Sequence, residues 1–201
     1  MQCNHLHLPY PILASPPNPP APPRHETPMK RRYDEEDVEG CRAILGRLDA
    51  SDPEPMVMNA CLEVKAENYD EALRSFQAAE EALGAAPYLS YNTALCRYHK
   101  GEWSESLREI TKVIDTAVTE HPELSVGSFT DGIETRSVGN TQTLRETALV
   151  EAFNLKAAIE WQLDNKQAAK EALTDMPPRS EDELDPVTLH NTALVSAGED
   201  P

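Results

Sequence analysis

At 201 residues the chain has room for one or two ordinary domains with a buried core. It carries 35 acidic residues against 18 basic ones, a net charge of −17, and only 5% aromatic residues. A surface that acidic repels phosphate backbones and anionic lipid, so neither nucleic acid nor a membrane is an expected partner. No stretch approaches the roughly 20 apolar residues that a spanning helix needs.

The chain opens on a proline-rich arm. Residues 1–33 hold nine of the 17 prolines, including the run Pro16-Pro17-Asn18-Pro19-Pro20-Ala21-Pro22-Pro23. Proline removes backbone donors and fixes φ, so residues 1–33 are expected to form a disordered arm that favours polyproline II. Residues 6–14 are apolar, but Pro9 and Pro11 interrupt them and no positive segment precedes them, unlike a signal peptide. Pro19-x-x-Pro22-x-Arg24 fits an SH3-ligand consensus, yet so short a pattern recurs by chance and a solvated tail is the plainer reading. His5 and His7 read as surface histidines. The four cysteines, Cys3, Cys41, Cys61 and Cys96, contain no Cys-x-x-Cys pair and are expected to be reduced, as in the cytosol.

From residue 34 the pattern is helical. Acidic residues at 34–37 suggest a first turn, and Cys41, Ile44, Leu45 and Leu48 form an apolar stripe. This segment, 34–50, is expected to be the second half of a repeat that lacks its first half. Prolines 53 and 55 then separate it from an internal repeat. Sliding the chain against itself by 34 residues places Ala60 on Ala94, Tyr69 on Trp103, Leu73 on Leu107, Phe76 on Ile110 and Ala79 on Val113. A period of 34 marks the tetratricopeptide repeat, with small residues in a first helix, an aromatic residue after a turn, and small and large apolar positions in a second. Small residues let paired helices approach, and Phe76 and Ile110 fill the space between hairpins.

The windows are therefore 53–86 and 87–118, followed by an insertion at 119–147 and a third repeat at 148–178. In that third repeat Lys166 replaces the aromatic, 63 residues after Trp103. The insertion, with His121-Pro122-Glu123 and glycines 127, 132 and 139, is expected to be an ordered loop on one face. Residues 186–201 open a further repeat, His190-Asn191-Thr192-Ala193-Leu194 echoing Tyr91-Asn92-Thr93-Ala94-Leu95. The fold expected is all-α, a tetratricopeptide-repeat α-solenoid, read as part of a longer array.

Nothing in the sequence supplies catalytic chemistry. Gly-x-Ser-x-Gly, His-Glu-x-x-His and phosphate-binding glycine loops are absent, so no enzyme, cofactor or metal is expected. Clusters such as Glu80-Glu81 and Glu181-Asp182-Glu183 read as solvated faces and helix starts. A partner groove is expected instead, lined by repeat positions 2, 5, 9 and 12 of each first helix. The first repeat places Glu54, Val57, Cys61 and Val64 there, the second Tyr88, Tyr91, Leu95 and Tyr98, and the third Glu151, Asn154, Ala158 and Trp161. The candidate contact residues are Tyr88, Tyr91, Leu95, Tyr98, Asn154, Ala158 and Trp161, although the tyrosines could instead pack between repeats. Such a groove suits an extended, proline-rich or apolar segment. It lacks the Arg and Lys that a co-chaperone groove uses to clamp an acidic C-terminus, which makes a generic adaptor the second reading.

Several strings are not demanded by repeat packing. They are His121-Pro122-Glu123-Leu124, residues 132–141 (Gly-Ile-Glu-Thr-Arg-Ser-Val-Gly-Asn-Thr), 147–160, 171–179, and 185–191 (Asp-Pro-Val-Thr-Leu-His-Asn). Through them the chain resembles, from about residue 41 to 194, the tetratricopeptide repeat protein 30 family, the seventy-kilodalton subunit of intraflagellar transport complex B. The resemblance implies a non-enzymatic scaffold that coils around a segment of another complex B subunit. It also implies a part in cilium and flagellum assembly, anterograde transport and tubulin polyglutamylation. The implied location is the cilium or flagellum, basal body and cytoplasm.

Overall fold

A computed structural model describes residues 28–49, 52–126 and 137–197. The described chain holds ten α-helices: α1 Pro28–Asp34, α2 Val38–Leu45, α3 Pro53–Lys65, α4 Tyr69–Leu83, α5 Pro87–His99, α6 Trp103–Glu120, α7 Gln142–Glu146, α8 Leu149–Gln162, α9 Lys166–Thr174 and α10 Pro186–Ala197. Short 3₁₀ turns occupy Pro122–Leu124 and Glu181–Glu183, and no strand occurs among the described residues. The architecture is an α-solenoid. Helices α3/α4, α5/α6 and α8/α9 pair as hairpins, each hairpin packs on the next, and α10 lies against α8 and α9.

Local chemistry sets the hairpin boundaries. Proline stands at the first position of α3 and α5, where the missing N–H would be unsatisfied anyway and φ is already helical. Gly84, at φ +82°, stops α4 without the penalty that a Cβ would carry. The turn inside each hairpin recurs. Glu67, Gly101 and Asp164 take left-handed φ of 61°, 77° and 61°. The amides of Asn68, Glu102 and Asn165 donate back to the carbonyls of Glu63, Arg97 and Glu160 at 2.9, 2.9 and 2.8 Å. The same residues pair through their side chains: Asn68 donates to Glu63 at 2.8 Å, Arg97 to Glu102 at 3.0 Å and Asn165 to Glu160 at 2.9 Å. This pairing keeps the carboxylates of Glu63 and Glu160, both in buried residues, in hydrogen bonds.

That recurrence corrects the expected beginning of the array. Residues 34–37 are not a first helical turn. Glu36 is left-handed at φ 59°, the Asp37 amide donates to the Arg32 carbonyl at 2.8 Å, and Arg32 pairs with the Asp37 carboxylate. The turn is therefore that of the other hairpins, and α1 is a short first helix paired with α2. Residues 28–33 belong to it rather than to an arm, because Tyr33 is buried and the Lys65 ammonium covers its ring at 4.2 Å. The expectation of disorder for residues 1–27 lies outside the described residues.

The core runs along the whole stack. Phe76, Leu62, Leu89, Tyr91, Ile110, Leu155 and Ile159 are fully buried, as are the small residues Ala60, Ala72, Ala94 and Ala157. Ala94 has no exposed surface, and its carbonyl accepts from the buried Ser106 hydroxyl at 2.7 Å, so the α5/α6 contact leaves no room for a larger side chain. Ala94→Leu is expected to cost about 1–3 kcal/mol through overpacking, read by urea titration. A change of a few tenths would place Ala94 outside the helix contact.

Candidate partner-binding surface

The repeat positions expected to line a groove divide sharply. Positions 5 and 9 are buried in every hairpin: Val57 and Cys61, Tyr91 and Leu95, Asn154 and Ala158 are 0–1% exposed. Tyr91, Leu95, Asn154 and Ala158 are therefore core residues, and a partner docking on this form cannot reach them. The cause is the next first helix. Asn191 of α10 donates to Asn154 at 2.9 Å, Asn154 donates to Thr188 at 2.9 Å, and Val195 of α10 packs against Ala158. Helix α8 covers α5 and α6 in the same way.

The outer positions 2 and 12 stay accessible in the second and third hairpins. Tyr88, Tyr98, Glu151 and Trp161 are all partly exposed. Tyr88 packs against the main core beside Glu54, and burial pushes its phenol up, with the Glu54 carboxylate adding to the shift. Tyr98 and Trp161 sit together, both packed on the small cluster of Ala158 and Val195, which Leu173 and Leu194 complete. The Tyr98 hydroxyl accepts from Gln162 at 3.5 Å, and the Lys166 ammonium stands 5.8 Å from the Trp161 ring centroid. Tyr88 and Tyr98 are ten residues apart, roughly 15 Å along one helix. The structure thus joins Tyr98 to Trp161 and leaves Tyr88 apart. Leu194 was missing from the expected set, although its alignment with Leu95 was a signal for it.

The foot of the insertion is fastened to the segment between α9 and α10. The Val138 amide donates to the Pro178 carbonyl at 2.8 Å, and Asn140 donates to the Glu183 carbonyl at 2.9 Å. The Glu183 carboxylate accepts from the Ser137 hydroxyl at 2.5 Å and from the Ser180 amide at 2.9 Å. These donors hold the Glu183 carboxyl at about 2, against an ordinary 4.5. A lowered carboxylate stabilises the latch fully above its ordinary value and loses that contribution as pH falls through the lowered one. The Ser180 amide resonance is expected to titrate with a midpoint of about 2 in two-dimensional spectra. A midpoint at 4.5 would show that the latch does not form.

Among the described residues no group of three or more His, Cys, Asp and Glu could hold a metal ion. Cys41, Cys61 and Cys96 are buried free thiols, and burial pushes Cys96 up to about 12. No described helix is long and apolar enough to cross a membrane. Around Tyr98 and Trp161 the accessible surface offers aromatic rings, the Gln162 amide and the Lys166 ammonium.

Stacked antiparallel helix hairpins define a tetratricopeptide-repeat α-solenoid. By sequence the chain is homologous to the intraflagellar transport protein 70 family. It is 52% identical over 170 residues to intraflagellar transport protein 70A of Xenopus tropicalis, which is 85% of this chain and 26% of that protein. It is 48% identical over 180 residues to protein 70A2 of Mus musculus, covering 85% and 27%. It is 47% identical over 175 residues to protein 70B of Homo sapiens, covering 82% and 26%. The chain thus spans about a quarter of the length of these relatives. A span of 170 residues in a chain of 201 necessarily includes the insertion between the second and third hairpins. No family-wide sequence profile matches the chain.

Proposed function

We propose that this chain acts as a non-enzymatic scaffold segment within intraflagellar transport complex B, at work in the cilium or flagellum. Its contribution is to hold an extended segment of another complex B subunit on the aromatic surface formed by Tyr98 and Trp161, with Tyr88 a separate contact at the other end of α5. The observation that carries this reading is the 52% identity to a protein named for intraflagellar transport, over a span that includes the insertion. Generic repeat packing does not require that insertion to match. By the same resemblance the segment supports cilium assembly, anterograde transport and tubulin polyglutamylation, the last without being the ligase, with the basal body and cytoplasm as further locations.

Co-precipitation from ciliated-cell extract tests the proposal, with the full chain as bait and complex B subunits as the readout. Their enrichment is expected. Recovery of cytosolic chaperones with no complex B subunit would sink it and favour a general adaptor. A ligase assay on the purified chain should show no transfer of glutamate to tubulin.

A further inference from the structure

Away from the aromatic surface, a cleft of about 470 Å³ opens between α2, α3 and α4. Arg42 and Leu45 of α2 form one wall, Pro55, Met56 and Asn59 of α3 the other, and Ser75 of α4 lies at its edge. All of these residues are partly exposed. That volume accommodates a short extended segment and is far too small for a folded domain.

The described chain begins close to the cleft. Helices α1 and α2 are antiparallel, and the Cys41 thiol points at the Met29 carbonyl at 3.9 Å. Pro28, where the described chain begins, therefore lies beside the last turn of α2, which is the wall carrying Arg42 and Leu45. The proline run at 16–23 ends five residues earlier. A link of five residues can bridge up to about 15 Å, taking roughly 3.1 Å for each extended residue.

The chemistry is complementary as well. Proline has no N–H, so a proline run offers carbonyl acceptors almost exclusively. The cleft offers donors: the guanidinium of Arg42, the amide of Asn59 and the hydroxyl of Ser75. Arg42 is ion-paired with Glu63 at 3.1 Å, which balances its charge while leaving further N–H groups to donate. A neutral occupant is then favoured over an anionic one, and residues 16–23 carry no charged side chain. Leu45, Pro55 and Met56 supply apolar surface for pyrrolidine rings, and the unbranched thioether of Met56 adapts to their shape. A stiff segment loses little entropy on docking, and a tether of a few residues raises its local concentration to the millimolar range.

We propose that this cleft is the docking site of the chain's own proline run, residues 16–23. The test uses the full chain with a photo-crosslinking benzoylphenylalanine in place of Ala21. The dominant product is expected to be an intrachain link to Met56 or Leu45. Links to α9 or α10, links between chains, or the absence of any link would overturn the proposal. In parallel, the six prolines of the run are replaced by serine in the full chain. Amide exchange at 42–46 and 53–59 should accelerate several-fold while 149–162 is unchanged; equal exchange in both proteins would likewise refute docking. Ser75→Tyr should fill the cleft and abolish the crosslink, and should it fail to fold, the proline variant still decides the question.

Discussion

Tyr91→Ala is expected to destabilise the protein by about 3–5 kcal/mol, the range for removing a large buried aromatic ring. Tyr91 has no exposed surface and belongs to the main core, so truncation leaves a cavity between hairpins that cannot fill with solvent. Its place in the stack magnifies the consequence. A solenoid is stabilised by contacts between neighbouring repeats, and Tyr91 lies on α5, the first helix of the hairpin between α3/α4 and α8/α9. The urea transition should therefore broaden or split as the flanking hairpins uncouple. Tyr91→Phe keeps the ring and should lose far less. If Tyr91→Ala left the unfolding midpoint in place and instead weakened partner capture, the residue would face a groove and the packing described above would be wrong.

The same residue marks where the sequence was legible and where it was not. The 34-residue offset identified the hairpins because the physics behind it is local: Pro53 and Pro87 begin first helices, and Tyr69 and Trp103 begin second ones. Even Lys166, which breaks the aromatic pattern, begins α9 as the alignment placed it. The inner groove positions were misread because a list of positions along one helix says nothing about what the next hairpin covers. Asn154 and Ala158 become interior only when α10 docks through Asn191 and Val195, contacts 37 residues away in each case. At the beginning of the array, the acidic residues at 34–37 looked like a helix start because a short turn rich in carboxylates has the same composition. Only the left-handed Glu36 and the hydrogen bond from Asp37 to Arg32 distinguish a turn from a cap. Seven residues of α1 are too few for a periodic stripe to register, although Pro28 at its first position was a usable signal.

Trp161→Ala and Tyr98→Ala are expected to weaken capture of complex B subunits by about thirtyfold each, while the helical circular dichroism stays intact. The magnitude is that of truncating an aromatic anchor at a protein interface, about 2 kcal/mol or more. These two side chains are chosen because they are accessible, adjacent and rigidly backed. Ala158 and Val195 lie beneath them at 1% and 6% exposure, so the rings stand on a packed floor and lose little freedom when a partner binds. The indole face is already approached by the Lys166 ammonium, and the tyrosine hydroxyl by the Gln162 amide, so a partner segment would meet both apolar surface and polar edges. Truncating both together should cost less than the sum of the single losses, since one floor supports both rings. Glu80→Ala with Glu81→Ala, on the solvated side of α4, should leave capture within about twofold, as surface substitutions ordinarily do. Full binding by both aromatic variants would exclude this pair as the contact surface. If substitutions at Ser137 and Asn140 then abolished capture, the foot of the insertion would hold the partner instead.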